Sequence, residues 1–188
     1  MAIEEPAYTV LFKASKYEVR QYGPIVVAET QVSADFENAG NQAFRILAAY
    51  IFGANQSKTK IAMNAPVNQE KIKMTAPVTQ SKDSSGYLVQ FTMPKPYKLN
   101  TLPTPNDSRV ILREMPAKRV AVFSYSGSWS ESRYQEKLDE FKEALKTDSV
   151  QMVGEPTLAR FNSPFKIWFL RRNEIWIEIE LGTARRRG

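Results

Sequence analysis

The sequence predicts an α+β protein. Two similar β-β-α-β-β halves, related by a pseudo-two-fold, share one distorted antiparallel barrel or curved sheet, with two helices packed outside. Three observations predict this. The order strand, turn, strand, cap, helix occurs twice, with corresponding residues 93 positions apart. Each helix is followed by further strand-like segments. A stretch dense in proline, residues 94–107, separates the two copies.

In the first copy, Tyr17 to Tyr22 alternates as a strand does, and Gly23-Pro24 is a turn. Ile25 to Val32 is rich in β-branched residues and reads as a second strand. Ser33 and Asp35 are candidate caps. Phe36, Ala39, Ala43, Leu47 and Tyr50 then recur at the three- and four-residue spacing of one helical face. In the second copy the strands are Val110 to Met115 and Lys118 to Tyr125, with Pro116-Ala117 as the turn. Ser128 and Glu131 fit a capping box. Tyr134, Leu138, Phe141 and Leu145 mark the second helix. Arg20 matches Arg113, Val27 matches Val120, Ala28 matches Ala121 and Ser33 matches Ser126. Further strands are expected over Lys60 to Gln80, Tyr87 to Met93, Thr157 to Phe161 and Glu174 to Leu181. In the last of these, Ile175, Ile177, Ile179 and Leu181 share a face opposite Trp176, Glu178 and Glu180.

The chain has 188 residues, 43% of them hydrophobic and 24% charged, which suits one globular domain. That domain is expected over residues 1–183, with halves at about 6–93 and 108–181 and a basic tail at 184–188. The net charge is +6, and Arg185, Arg186 and Arg187 in the tail supply half of it. The body is too weakly charged for a nucleic-acid surface, so no nucleic-acid partner is expected. No run approaches the roughly 20 apolar residues of a membrane span, and no signal peptide is apparent, so a cytoplasmic protein is expected. There is no cysteine and no histidine. Disulfides, thiolate chemistry, Ser-His-Asp triads and His-based metal sites are therefore excluded. No glycine-rich phosphate loop, carboxylate pair or metal-ligand cluster stands out.

One local repeat carries chemistry. Residues 60–69 read Lys-Ile-Ala-Met-Asn-Ala-Pro-Val-Asn-Gln, and residues 71–80 read Lys-Ile-Lys-Met-Thr-Ala-Pro-Val-Thr-Gln. Pro66 and Pro77 suit a sheet edge or rim. Met63 and Met74 are thus presented near a mouth beside Lys60, Lys71 and Lys73. A thioether packs well against flat apolar ligands and can also coordinate haem iron.

These repeats, the helix 41–55, the segment Asn162-Ser-Pro-Phe-Lys-Ile-Trp-Phe-Leu-Arg-Arg-Asn-Glu-Ile-Trp176 and the opening Tyr17-Glu-Val-Arg-Gln-Tyr22 resemble the SOUL/haem-binding-protein family. The resemblance spans about Pro6 to Leu181. It implies a pseudo-two-fold α+β barrel, similar to effector-binding domains of some bacterial transcription regulators, and a porphyrin in an apolar groove beside the first helix. Carried over by position, that groove takes Phe44, Arg45 and Leu47 from the helix. Met63 and Met74 form one wall, and Phe165, Trp168 and Phe169 another. A porphyrin is an apolar plate with anionic propionates at one edge, so it needs greasy walls and a cationic rim. Arg45, Lys60, Lys71, Lys73 and Arg171 are the rim candidates. Without imidazole, an iron ligand must come from Met63, Met74, a tyrosine such as Tyr50, or a lysine. The expectation is a tetrapyrrole carrier or buffer that binds haem as a ligand without catalysis. The alternatives are an enzyme that removes or inserts porphyrin iron, and a sensor or protein-interaction module for another apolar ligand.

Overall fold

A computed structural model describes residues 4–65, 67–73, 85–161 and 167–180. Among them, nine strands and two helices follow in the order β1 (Tyr8–Lys13), β2 (Glu18–Tyr22), β3 (Ile25–Ser33), α1 (Phe36–Ile51), β4 (Val67–Lys73), β5 (Ser85–Thr92), β6 (Ile111–Met115), β7 (Lys118–Ser126), α2 (Glu131–Thr147), β8 (Gln151–Arg160) and β9 (Arg172–Glu180). A 3-10 turn, Trp168–Leu170, precedes β9. All nine strands pair antiparallel in one curled sheet, ordered β1-β2-β7-β9-β8-β4-β5-β3-β6.

The pairing carries the duplication. β2 pairs with β7 and β3 with β6, so each half lends its first strand to the second strand of the other. A step of 93 residues turns the pair Glu18↔Val122 into Ile111↔Glu29, and Arg20↔Val120 into Arg113↔Val27. The halves also meet centrally, where β4 pairs with β8. Leu158 on β8 packs under α1 and pairs with Ile175 on β9, which packs under α2. Both helices therefore lie on one face of the sheet. The opposite face carries Tyr22, Val120, Val122, Ala159 and Trp176 as a smaller core.

Helix α1 starts where Asp35 accepts a hydrogen bond from the Asn38 amide at 2.9 Å. Its expected face, Phe36, Ala39, Ala43, Leu47 and Tyr50, is buried against β3 and β5. Helix α2 begins two residues later than the capping-box reading. Ser130, still extended, is its cap, and Ser128 only contacts the Ser130 hydroxyl. Leu138, Phe141 and Leu145 are buried there, and Tyr134 is half-buried against Phe36, stacked at 5.0 Å.

Three strand boundaries differ from the sequence reading. Residues 60–64 are not a strand, because Ile61 N–H donates to the end of α1 at Ile51 O and not to a neighbouring strand. β8 begins at Gln151 and not at Thr157. Gly154 and Pro156 form an irregularity inside it, with Gly154 at φ +75°, which disguised a continuous strand as a turn. β1 was not read at all. It is an added edge strand on β2, exposed at every residue, so it lacks a buried face to betray it.

Burial of tyrosines gives the fold an alkaline limit. Burial and a hydrogen bond to Asp148 push the Tyr17 phenol up to about 12. Burial does the same for Tyr50 and Tyr125, also to about 12. The unfolded chain releases these protons near pH ~10, before the folded chain does. The stabilisation is therefore complete below pH ~10 and is lost between about 10 and 12. The urea midpoint is expected to fall across that window, and a midpoint flat through pH ~11 would contradict these three burials.

Candidate functional site

The site is assembled at the end of the sheet where β4 starts and β8 stops. Val67, the first residue of β4, pairs with Phe91 on one side and with Arg160 on the other. Above them runs α1. The Phe44 ring tilts against Phe91 at 5.5 Å, and both Phe44 and Met63 are half-buried at the margin of the α1 core. One helical turn before Phe44 sits Gly40, and here the helix makes room. A Cβ at Gly40 would stand 2.6 Å from Arg160 Nη1 and 3.2 Å from Gln69 Oε1. Glycine inside a helix costs about 1 kcal/mol relative to alanine, and the close approach of the guanidinium explains it.

Arg160 belongs to a cluster between the two helices. Its Nη2 donates to Gln69 Oε1 at 3.2 Å, and Gln69 Nε2 donates in turn to Phe36 O at 3.0 Å. The Arg160 guanidinium lies 5.0 Å from the centre of the Trp129 ring, and that of Arg171 lies 4.3 Å from it. Trp129 is held in place because its Nε1 donates to Asn173 Oδ1 at 2.7 Å. Asn173 Nδ2 donates to Gly127 O at 3.2 Å. Just before β9, Ile167, Phe169 and Leu170 are each more than half exposed. Three large apolar side chains in water beside two guanidiniums are unusual on a monomer surface and mark a contact site.

The structure thus brings Phe44, Met63, Phe169 and Arg171 to one end of the sheet. Arg45 and Lys60 are exposed, Arg45 next to Phe44 on α1 and Lys60 three residues before Met63. Trp168 opens the 3-10 turn. Leu47 does not join the site. It is fully buried in the α1 core and can only support the helix from beneath. Lys73 is the last residue of β4, with its backbone about 20 Å along the strand from Val67. Lys71 lies two residues short of it. Met74 and Phe165 lie outside the described residues. Tyr50 is unsuited to bind iron, because its hydroxyl is buried and donates to Pro103 O at 2.9 Å. Sequence reasoning missed Arg160, Trp129 and Gly40. A glycine at a packed helix position was the available signal.

A separate recess, of about 760 Å³, has Asn64 in its wall. It is lined by Val26, Met93, Tyr97, Lys95, Glu4 and Glu114 among others. Its volume would accept a drug-sized ligand. Two carboxylates, Glu4 and Glu114, and two lysines, Lys95 and Lys98, stand at its walls, so it carries no net cationic rim.

The fold and this helix-flanked ledge define a class of duplicated α+β half-barrels. Solved structures share the fold. The EcmrR C-terminal domain superposes with a TM-score of 0.65 at 9% identity, covering 88% of this chain and 99% of that one. An uncharacterised conserved protein from Listeria innocua gives 0.64 at 12% identity, covering 88% and 92%. Within that class, the model described as SOUL heme-binding protein matches residues 3–178, and the chain belongs to this family. It is 30% identical over 183 residues to "Heme-binding protein 2" of Homo sapiens, covering 94% of this chain and 86% of that protein. The Mus musculus "Heme-binding protein 2" is also 30% identical, over 165 residues, covering 86% and 77%. Among the described residues no helix is long and apolar enough to cross a membrane.

Proposed function

We propose that this chain binds haem or a related tetrapyrrole along the ledge formed by α1, Met63 and the 3-10 turn, and holds it for sequestration, transport or buffering. Family membership and relatives named for haem binding support the ligand class. The observation that supports the location is that exposed Phe169, half-buried Phe44 and Met63, and the Arg160–Trp129–Arg171 cluster belong to the same end of the sheet. Apolar side chains suit the faces of the macrocycle and guanidiniums suit its propionates.

The donor set fits a weakly ligated haem. With no imidazole in the chain, the thioethers of Met63 and Met74 are the proposed iron ligands. A bound haem would supply only its own redox-active iron, and the protein contributes walls, rim charge and partial exclusion of water. Holding the plate needs no proton relay, and no such relay is assigned to this ledge. Haem titration followed in the Soret band tests the reading. Wild type is expected to shift the band, and at least one of Met63→Ala and Met74→Ala to bind about fivefold more weakly or worse. No shift on wild type sinks haem binding. Equal affinity in both variants removes the methionines from the site, and release of metal-free porphyrin would replace holding by catalysis.

A further inference from the structure

Among the described residues of the ledge, Arg160 is left chemically unfinished. Its Nε is sealed from solvent and has no hydrogen-bond partner. Among the described residues no carboxylate pairs with it; its neighbours are Gln69, Tyr125, Trp129 and a second guanidinium, Arg171. Arg119 also has a sealed Nε without a partner, but three other arginines are met by carboxylates. Arg20 meets Glu174 at 2.9 Å, Arg113 meets Glu29 at 2.9 Å, and Arg109 meets Asp107 at 2.6 Å. A guanidinium taken out of water beside a like charge is strongly disfavoured unless an anion compensates it. Burial, and then the neighbouring Arg171, push Arg160 down to about 10, against the help of Tyr125. Yet the chain preserves the arrangement. Gly40 clears the space over Nη1, and Gln69 ties the guanidinium to the first turn of α1.

From this we propose that Arg160, steadied by Gln69 and Trp129, is the anchor for a carboxylate of the bound ligand, with Arg171 completing the receptor. The inference rests on the tetrapyrrole reading and makes it more specific, since it assigns the propionate edge of the plate to the gap between α1 and α2. Arg160 is only half-buried as a whole, and its Nη groups offer charge-assisted donors to a carboxylate while Nε stays sealed. Trp129 presents its ring to both guanidiniums and keeps them from splaying into solvent. The ligand class that follows is a planar apolar molecule bearing a free carboxylate. The fully esterified form of the same molecule would find the walls and miss the anchor.

The test compares haemin with haemin dimethyl ester in absorbance titrations of the full chain. Wild type is expected to prefer the free acid by about tenfold, the worth of one desolvated charge-assisted hydrogen bond. Arg160→Met is expected to lose that preference by weakening the acid only, with ester affinity held as the internal check of an intact ledge. Gly40→Ala, which keeps the arginine but displaces Nη1, is expected to lose part of it. If Arg160→Met fails to fold, shown by lost near-UV dichroism and lost ester binding, Gly40→Ala decides. Equal affinity of wild type for acid and ester, or an undiminished preference in a folded variant, overturns the anchor while haem binding stands. Wild type that binds neither compound defeats the tetrapyrrole reading, and the anchor with it.

Discussion

Replacing Glu174 with alanine is expected to lower the melting temperature by about 10 °C or more, from a loss of about 3–5 kcal/mol. Glu174 on β9 is fully buried and gathers two guanidiniums, one from β2 and one from β9 itself. Arg20 on β2 donates to it through Nη1 at 2.9 Å and Nη2 at 3.1 Å, bridging over β7. Trp176 Nε1 donates at 2.7 Å, and Arg172 Nε at 3.1 Å. Arg20 has only 5% of its side chain exposed, so removing the carboxylate leaves its Nη groups with Tyr22 OH alone where water cannot reach, while Nε keeps its pair with Glu18. The pair's own attraction is largely offset by the desolvation of both ions, and most of the expected loss comes from the buried donors of Arg20 and Trp176 and the part-buried donors of Arg172 that lose their acceptor. Glu174→Gln keeps an acceptor for Trp176 and is expected to fall between wild type and alanine. Thermal melts followed by far-UV dichroism decide it. A shift in Glu174→Ala of less than about 3 °C would mean that Arg20 escapes to solvent, and that the bridge does not hold the two halves together.

That ion pair also shows where sequence reading stops. The periodicity of Phe36, Ala39, Ala43, Leu47 and Tyr50 names a helical face because burial repeats locally, and the structure buries all five. The match of Arg20 with Arg113 was readable as a repeat, but the partners were not. One arginine bridges to Glu174, 154 residues away, while the other stays at an edge strand with Glu29. Register between distant strands decides such pairings, and no local pattern encodes it. The site behaves alike. Met63 stands in a local repeat, and the family resemblance implies Phe44 and Arg171 from segments that are each continuous in the sequence. Arg160 and Trp129 become a receptor only when β8, the start of α2 and Gly40 of α1 converge. The family resemblance implies Leu47 in the groove, whereas its helical spacing puts it on the face with Phe36, Ala39, Ala43 and Tyr50, and burial follows the spacing.

The contrast between Leu47 and Phe44 separates core from ledge. Leu47 has no exposed surface and packs with Val89, Phe91 and the rest of the α1 core. Truncation to alanine leaves a cavity that the sheet cannot close, so Leu47→Ala is expected to destabilise by about 3 kcal/mol. Haem affinity of its folded fraction should stay within about twofold, since no wall of the ledge is removed. Phe44 is half-buried, with one flank on Phe91. Phe44→Ala forfeits less burial, about 1–2 kcal/mol, because part of the ring is already in water. It removes the aromatic surface offered to the macrocycle, and the haem dissociation constant is expected to rise about tenfold. Urea unfolding and haem titration on the two variants give four numbers that must cross. If Leu47→Ala instead weakens haem binding more than Phe44→Ala does, the plate does not lie against this flank of α1, and the ledge is not its site.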